Sequence, residues 1–268
     1  MTTLTIEIRD AANQLLAMNT DSDQVHLVYN RPYQPGDSVI VKSLDAGQYL
    51  LMQLDDAMNE AFVFLAGHEY QFIIPFAEKK TSYSPKAFSG DLHVMTAQLA
   101  SPEDISAYKN LAENVYDHHD NTSLFPHASA NVETRGEAVF AARNAINGNT
   151  VSFSHGEWPF ESWGINMQDD AEFKVSFGRM VRIDKIRLVL RADFPHDNYW
   201  TQVTLSFSDG SSEVARLVKS GKAQTISLIP KNVEWVKLSE LIKSDEPALF
   251  PALTQFEAYG HEINERGE

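Results

Sequence analysis

A period of two in the hydrophobic pattern is what most constrains this chain. Leu4, Ile6 and Ile8 alternate with Thr3, Thr5 and Glu7, and Val25, Leu27 and Tyr29 alternate with Gln24, His26 and Val28. Successive side chains of a strand point to opposite faces, so this spacing suits a half-buried sheet and conflicts with the 3.6 period of a helix. Further apolar runs at 39–41, 49–54, 61–65, 70–74 and 92–99 are separated by Pro32, by Pro35-Gly36-Asp37, by Asp45-Ala46-Gly47 and by Gly67. Short runs broken so often by turn residues predict a small β-sandwich over residues 1–99, with 78–90 as a loop before its last strand.

Ser101-Pro102-Glu103-Asp104 is a helix start: Ser101 can cap, Pro102 suits the first helical position and Asp104 completes a capping-box pattern. Ile105, Tyr108, Ala112 and Val115 then recur at helical spacing, which predicts a helix of three to four turns. Residues 100–117 are therefore read as a helical linker.

From 118 to 261 the period of two returns. Phe173, Val175 and Phe177 alternate, as do Ile186, Leu188 and Leu190, then Val203, Leu205 and Phe207. Ser208-Asp209-Gly210-Ser211 is a hairpin signal, because Asp-Gly enters positive φ at low cost. The strand over 212–218 returns from it, followed by strands about Ile226 and Leu228, about Val233 and Trp235, and over 255–259. The chain as a whole reads as all-β, two β-sandwich domains joined by a short helix.

At 268 residues the chain has room for two ordinary domains. Lys and Arg total 22 against 37 Asp and Glu, a net charge of −15, which opposes non-specific attraction to nucleic acid or anionic membranes. The absence of cysteine excludes disulfides, thiolate metal sites and Cys nucleophiles. No apolar run reaches membrane-spanning length, and the opening Met1 to Glu7 lacks the basic and apolar regions of a signal peptide, so the expected location is cytoplasmic.

The order of motifs in the second half resembles the discoidin, or coagulation factor 5/8 type C, family. Ala128-Ser129-Ala130-Asn131 is followed by Ala145-Ile146-Asn147-Gly148, then by Glu161-Ser162-Trp163-Gly164. The strand Phe173 to Phe177, the Phe-Ser-Asp-Gly segment and a closing Phe256-Glu257-Ala258-Tyr259-Gly260 complete that order over about 110–261. The resemblance implies a galactose-binding-like jelly roll whose loops at one end bind ligand, most often sugars, without catalysis. It also leaves calcium open as a structural ion near the Ala-x-Asp-Gly turn. Here Asn147 stands in place of the family's Asp, and Phe177-Gly178 lacks the Asp that often precedes such a turn.

Two clusters fall in loops of this second half. One runs from Ser154 through His155, Glu157 and Trp158 to Glu161; the other contains Arg191, Asp193, Phe194, His196, Asp197, Tyr199 and Trp200. Pyranose recognition needs donors and acceptors in the plane of the ring hydroxyls and an aromatic face for the C–H side. His155, Glu157, Arg191, Asp193, His196 and Asp197 could supply the first, and Trp158 and Trp200 the second. The competing reading makes Trp163, Phe194 and Trp200 core plugs, and Arg191 with Asp193 or Asp197 an ion pair that braces the loop. Asp117-His118-His119-Asp120 lacks the helical spacing of a metal-ligand pair and reads as a capped, solvated helix end.

The function expected is non-catalytic recognition of a mono- or oligosaccharide at a loop rim, with self-association or a protein partner adding avidity. Two alternatives stay open. A protein-interaction module predicts an exposed apolar patch on 1–99; a glycan-processing enzyme predicts that the two loops share one cleft containing a perturbed carboxylate.

Overall fold

The computed structural model describes residues 2–154, 156–192 and 198–263. The first part folds from eight strands: β1 (Thr3–Arg9), β2 (Leu15–Ser22), β3 (Gln24–Tyr29), β4 (Ser38–Ser43), β5 (Gln48–Gln53), β6 (Ala61–Leu65), β7 (Glu69–Ile73) and β8 (His93–Leu99). They form two antiparallel sheets, β2-β1-β4-β7 and one running β6-β5-β8-β3. Leu4, Ile6 and Ile8 of β1 meet Val25, Leu50, Met52 and Val63 in the core between them, as the alternation demands. The sequence reading misses β2. It is an edge strand with mostly exposed side chains, so no buried face imposes a period on it.

The helix corrects the sequence reading. It spans only Pro102–Ser106, with the capping box formed as expected: Ser101 accepts from the Asp104 amide while Asp104 accepts from the Ser101 amide. The chain then leaves helical geometry, and β9 (Lys109–Asn110) pairs with a strand of the second half. The apparent helical stripe arises because the segment serves two cores in turn. Leu111 and Ala112 pack into the second core, whereas Val115 and Tyr116 pack into the first. Tyr116 fixes this crossing, since its hydroxyl accepts from the Leu54 amide and donates to the Asn59 carbonyl.

The crossing repeats before the second sandwich begins. β10 (Leu124–Phe125) adds to β6 of the first sandwich, and β11 (His127–Ala130) joins the second. Buried Asp117 ties the turn between them, accepting from the His127 ring, the Asn121 side chain and the Ala128 amide, each at 2.8 Å. Arg143, buried over the Tyr83 ring, donates to the carbonyls of Val115 and Asp117. His118 instead approaches the Gln71 carbonyl and His119 is exposed, so the adjacent histidines do not converge. Among the described residues no group of three or more His, Asp or Glu could hold a metal ion.

The second sandwich is built by β12 (Trp163–Gly164), β13 (Phe173–Leu190), β14 (Trp200–Phe207), β15 (Ser212–Arg216), β16 (Gln224–Lys243) and β17 (Ala252–Glu262). β13 and β16 are long because each contributes to both layers. The first half of β13 lies between β11 and the end of β16, and its second half lies between the start of β16 and β17. Gly178, at φ +69°, makes the bend; a Cβ there would fall 2.3 Å from the Phe125 ring, so only glycine lets the two sandwiches meet. The expected strands about Ile226 and about Trp235 are one strand, with Pro230 in the bulge between the partners Ser227 and Lys231. No helix among the described residues is long and apolar enough to cross a membrane.

Candidate ligand site at the rim of the second sandwich

Five segments meet at one end of the second sandwich. β12 pairs Trp163 with Leu253 and Gly164 with Ala252, which fixes the segment 163–166 beside the loop 244–252. The Thr134 hydroxyl accepts from the Asn166 amide at 2.9 Å, and the Ser162 amide donates to the Val139 carbonyl, so 134–140 lies against the same edge. Phe140, Val139 and Phe160 form a small apolar cluster that joins 134–140 to the loop 149–161. The start of β14 completes the rim through Asn198. Its buried side-chain amide donates to the carbonyls of Ser244, Glu246 and Ala248, while its oxygen accepts from the Ser244 hydroxyl.

Arg191, expected at the sugar hydroxyls, is placed elsewhere. It is 1% exposed, and its guanidinium donates to the Phe160 and Ser154 carbonyls. It therefore holds both ends of the 154–160 loop. That loop closes on itself through the Phe153 amide and Pro159 carbonyl at 2.9 Å and through the Ser154 hydroxyl with Glu157. Trp158 projects from it, 38% exposed, and Glu157 is exposed beside it.

Trp200 corrects the other half of the aromatic expectation. It is fully buried, its ring 6.1 Å from that of Trp163, and it offers no face to a ligand. Its position at the start of β14, beneath the rim, makes it the core plug that the competing reading describes. His155, Asp193, His196 and Asp197 lie outside the described residues. Arg191, directly after β13, holds the main chain of the loop that carries Trp158.

The rim also opens into a cavity of about 420 Å³ lined by Thr134, Arg135, Phe140, Ile165, Asn166 and the loop 247–252. Leu249 and Phe250 are 52% and 42% exposed at its mouth. Arg135 and Asn166 both have positive φ, +54° and +49°, a strained choice for non-glycine residues and one that clusters at ligand sites. The sequence reading names none of these residues. The available signal was the pair Leu249-Phe250 enclosed by Pro247 and Pro251, an apolar pair in a segment that cannot continue a strand.

No family model and no curated protein matches this chain. Solved structures similar to it include chitosan-binding module 1 of a chitosanase/glucanase from Paenibacillus sp. IK-5, at 18% identity and TM-score 0.39, covering 57% of this chain and 100% of that one. The family 32 carbohydrate-binding module of NanJ from C. perfringens, in complex with galactose, is 19% identical with TM-score 0.37 over 49% of this chain and 91% of the module. The lectin domain of lectinolysin, complexed with Lewis B antigen, is 17% identical with TM-score 0.42 over 56% and 95%.

The turn at which the resemblance implies calcium has a different chemistry here. A calcium ion needs six to eight oxygen ligands. Glu161 is a buried carboxylate, but three N–H donors face it: the side-chain amides of Asn147 and Asn149 at 3.2 and 2.8 Å, and the Phe160 main chain at 3.0 Å. The Asn147 and Asn149 oxygens accept from the Asn149 and Val151 amides, which fixes their nitrogens toward Glu161. The charge is compensated by hydrogen bonds and the oxygens are spent, so these residues do not fit calcium. Gly148, at φ +79°, packs the turn onto Glu113; a Cβ there would fall 2.6 Å from Glu113 Oε1. Burial raises the Glu113 pKa and the nearby Glu257 charge raises it further, against a hydrogen bond from Asn110.

Proposed function

We propose that the second sandwich is a carbohydrate-binding module of the discoidin, galactose-binding-like family, holding a mono- or oligosaccharide at this rim without transforming it. The observation that carries the reading is Trp158. It is an exposed indole on a loop pinned at both ends by buried Arg191, so its face is presented with little conformational freedom to lose on binding. The motif order over 110–261 and the sheet-switching strands β13 and β16 support the family assignment.

Hydrogen bonds to sugar hydroxyls replace bonds to water, and each is worth only about 0.5–1.5 kcal/mol net. A rigid aromatic platform therefore supplies much of the affinity at a site of this type. Titration with a panel of mono- and disaccharides, read by tryptophan fluorescence, tests the proposal. Saturable quenching that is lost in Trp158→Ala supports it; a flat response across the panel from folded protein rejects it.

One observation favours a second reading for the first sandwich. Val28 on edge strand β3 lies directly across from Val94, and both are exposed, which suits a protein partner that adds to this edge. Pull-down with the isolated β3 edge altered by Val28→Lys would weaken capture of such a partner and leave sugar quenching unchanged.

A further inference from the structure

We infer that the first sandwich completes the ligand rim of the second: the turn Ala77–Ser82 and Tyr83 after it, between β7 and β8, hold the rim wall 134–140 in place, with Glu78 and Tyr83 as positioning residues. This placement rests on the carbohydrate reading above, and it adds to the site a part of the chain that lies outside the region of resemblance.

The wall depends on support from outside itself. Val139 and Phe140 sit on a single 3-10 turn, Ala138–Phe140, too short to be held by its own hydrogen bonds. The Ala138 amide points across the seam between the sandwiches, where the Glu78 carboxylate accepts from it at 2.7 Å. The Ala138 carbonyl is held from the other side, accepting from the Asn144 side-chain amide at 2.8 Å. Residue 138 is thus gripped at both of its main-chain groups, once by each half of the molecule.

Asn144 is tied to the first sandwich in turn. It is fully buried, and its side-chain oxygen accepts from Arg143 Nη1 at 3.0 Å. The Arg143 guanidinium lies 4.3 Å from the centroid of the Tyr83 ring, and Nη1 also approaches the Ser82 hydroxyl at 3.5 Å. Its Nε and Nη2 donate to the Asp117 and Val115 carbonyls, so the planar fork is fixed in orientation. Two neighbours on the turn Ala142–Ile146 therefore face opposite ways, Arg143 toward the first sandwich and Asn144 toward the rim.

What the wall carries reaches the loop that presents Trp158. Val139 and Phe140 pack with Phe160, and the Ser162 amide donates to the Val139 carbonyl at 3.0 Å. Trp158 precedes Phe160 by two residues. Packed and hydrogen-bonded groups thus run without a gap from Tyr83 through Arg143, Asn144 and Val139 to Phe160, and a second support enters at Ala138 from Glu78. Glu78 is exposed, so its removal leaves no cavity in either core.

Fluorescence titration with the saccharide panel, melting curves and hydrogen exchange of the Ser162 amide, all on full-length variants, test the inference. Glu78→Ala should weaken the best ligand of the panel about threefold with the melting temperature nearly unchanged, and Glu78→Gln, which keeps an acceptor, should restore most of it. Tyr83→Leu, which takes the ring from Arg143, should weaken binding about tenfold and speed Ser162 exchange. Because Tyr83→Leu also disturbs the first core, Val25→Ala is the control. Val25 belongs to that core but sits on β3, the strand farthest from β10 in its sheet, and its change should lower the melting temperature without moving affinity or Ser162 exchange. Unchanged affinity and exchange in both Glu78→Ala and Tyr83→Leu, or losses in Val25→Ala equal to those in Tyr83→Leu, overturn the positioning role and leave the carbohydrate reading standing. A wild-type chain that binds no sugar, with Ser162 exchange still faster in Glu78→Ala and Tyr83→Leu, overturns the carbohydrate reading and keeps the first sandwich as the support of this rim. No sugar binding together with unchanged exchange overturns both.

Discussion

Arg191 grips Phe160 twice: its guanidinium donates to the Phe160 carbonyl and lies 5.8 Å from the centroid of the same residue's ring. A third contact to the Ser154 carbonyl at 3.0 Å spans the loop that presents Trp158. Because the guanidinium is buried, Arg191→Ala removes the donor shared by the buried Phe160 carbonyl and the half-buried Ser154 carbonyl. A loss of about 3 kcal/mol in unfolding free energy is expected, together with loss of sugar quenching. Lysine can reach one carbonyl but not both with a planar fork, so Arg191→Lys should recover part of the stability and little of the binding. Urea denaturation and fluorescence titration of the two variants check this.

Trp158 and Trp200 should separate binding from stability. Trp158 is exposed and should cost about 1 kcal/mol of binding, near fivefold in affinity, when changed to Ala, with the melting temperature nearly unchanged. Trp200 is a core residue against Trp163, and Trp200→Ala should cost about 4 kcal/mol of stability. If Trp200→Phe, which keeps the core filled, lost binding without losing stability, the assignment of Trp200 to the core alone would be wrong.

How much of this could be read from the chain follows from which signals are local. Leu4, Ile6 and Ile8 declare their strand because one face is buried, and the Ser101 capping box declares its helix start because both partners lie three residues apart. The end of that helix is not a local property. Leu111 and Tyr116 belong to different cores, and the sum of their apolar positions imitates a helical stripe. The same holds for the rim. Trp158 is legible as an aromatic beside a proline in a polar loop, whereas Arg191 looks like a hydroxyl ligand until the fold shows the carbonyls it faces. The cavity is the least legible part, since Arg135, Asn166 and Phe250 are separated by 31 and 84 positions and meet only because β12 pairs with β17.

The amide-lined turn predicts independence from calcium. Removal of divalent ions with a chelator should leave the melting temperature of the wild-type chain unchanged, because Glu161 is already met by three N–H donors. Asn147→Asp replaces one of those donors with a like charge beside a buried carboxylate. A loss of about 2 kcal/mol is expected in chelator at neutral pH. A chelator-induced drop of several degrees in the wild-type chain would show that an ion, and not the amide pair, balances Glu161.

Glu113 offers the complementary pH test. Burial first, and the Glu257 charge second, raise its pKa in the folded chain above the ordinary glutamate value. The native state therefore binds this proton more tightly than the unfolded chain does. Stability falls as pH rises from the ordinary glutamate range, about 4.3, through the raised native value, and the penalty is complete above it. Glu113→Gln removes that penalty while keeping the shape that packs against Gly148. The variant should melt higher than the wild-type chain at pH 7, and the difference should shrink toward zero near pH 4. Melting curves across that range decide it: a Gln variant that melts lower at pH 7 would mean that the Glu113 carboxylate has a compensating partner worth more than its burial costs.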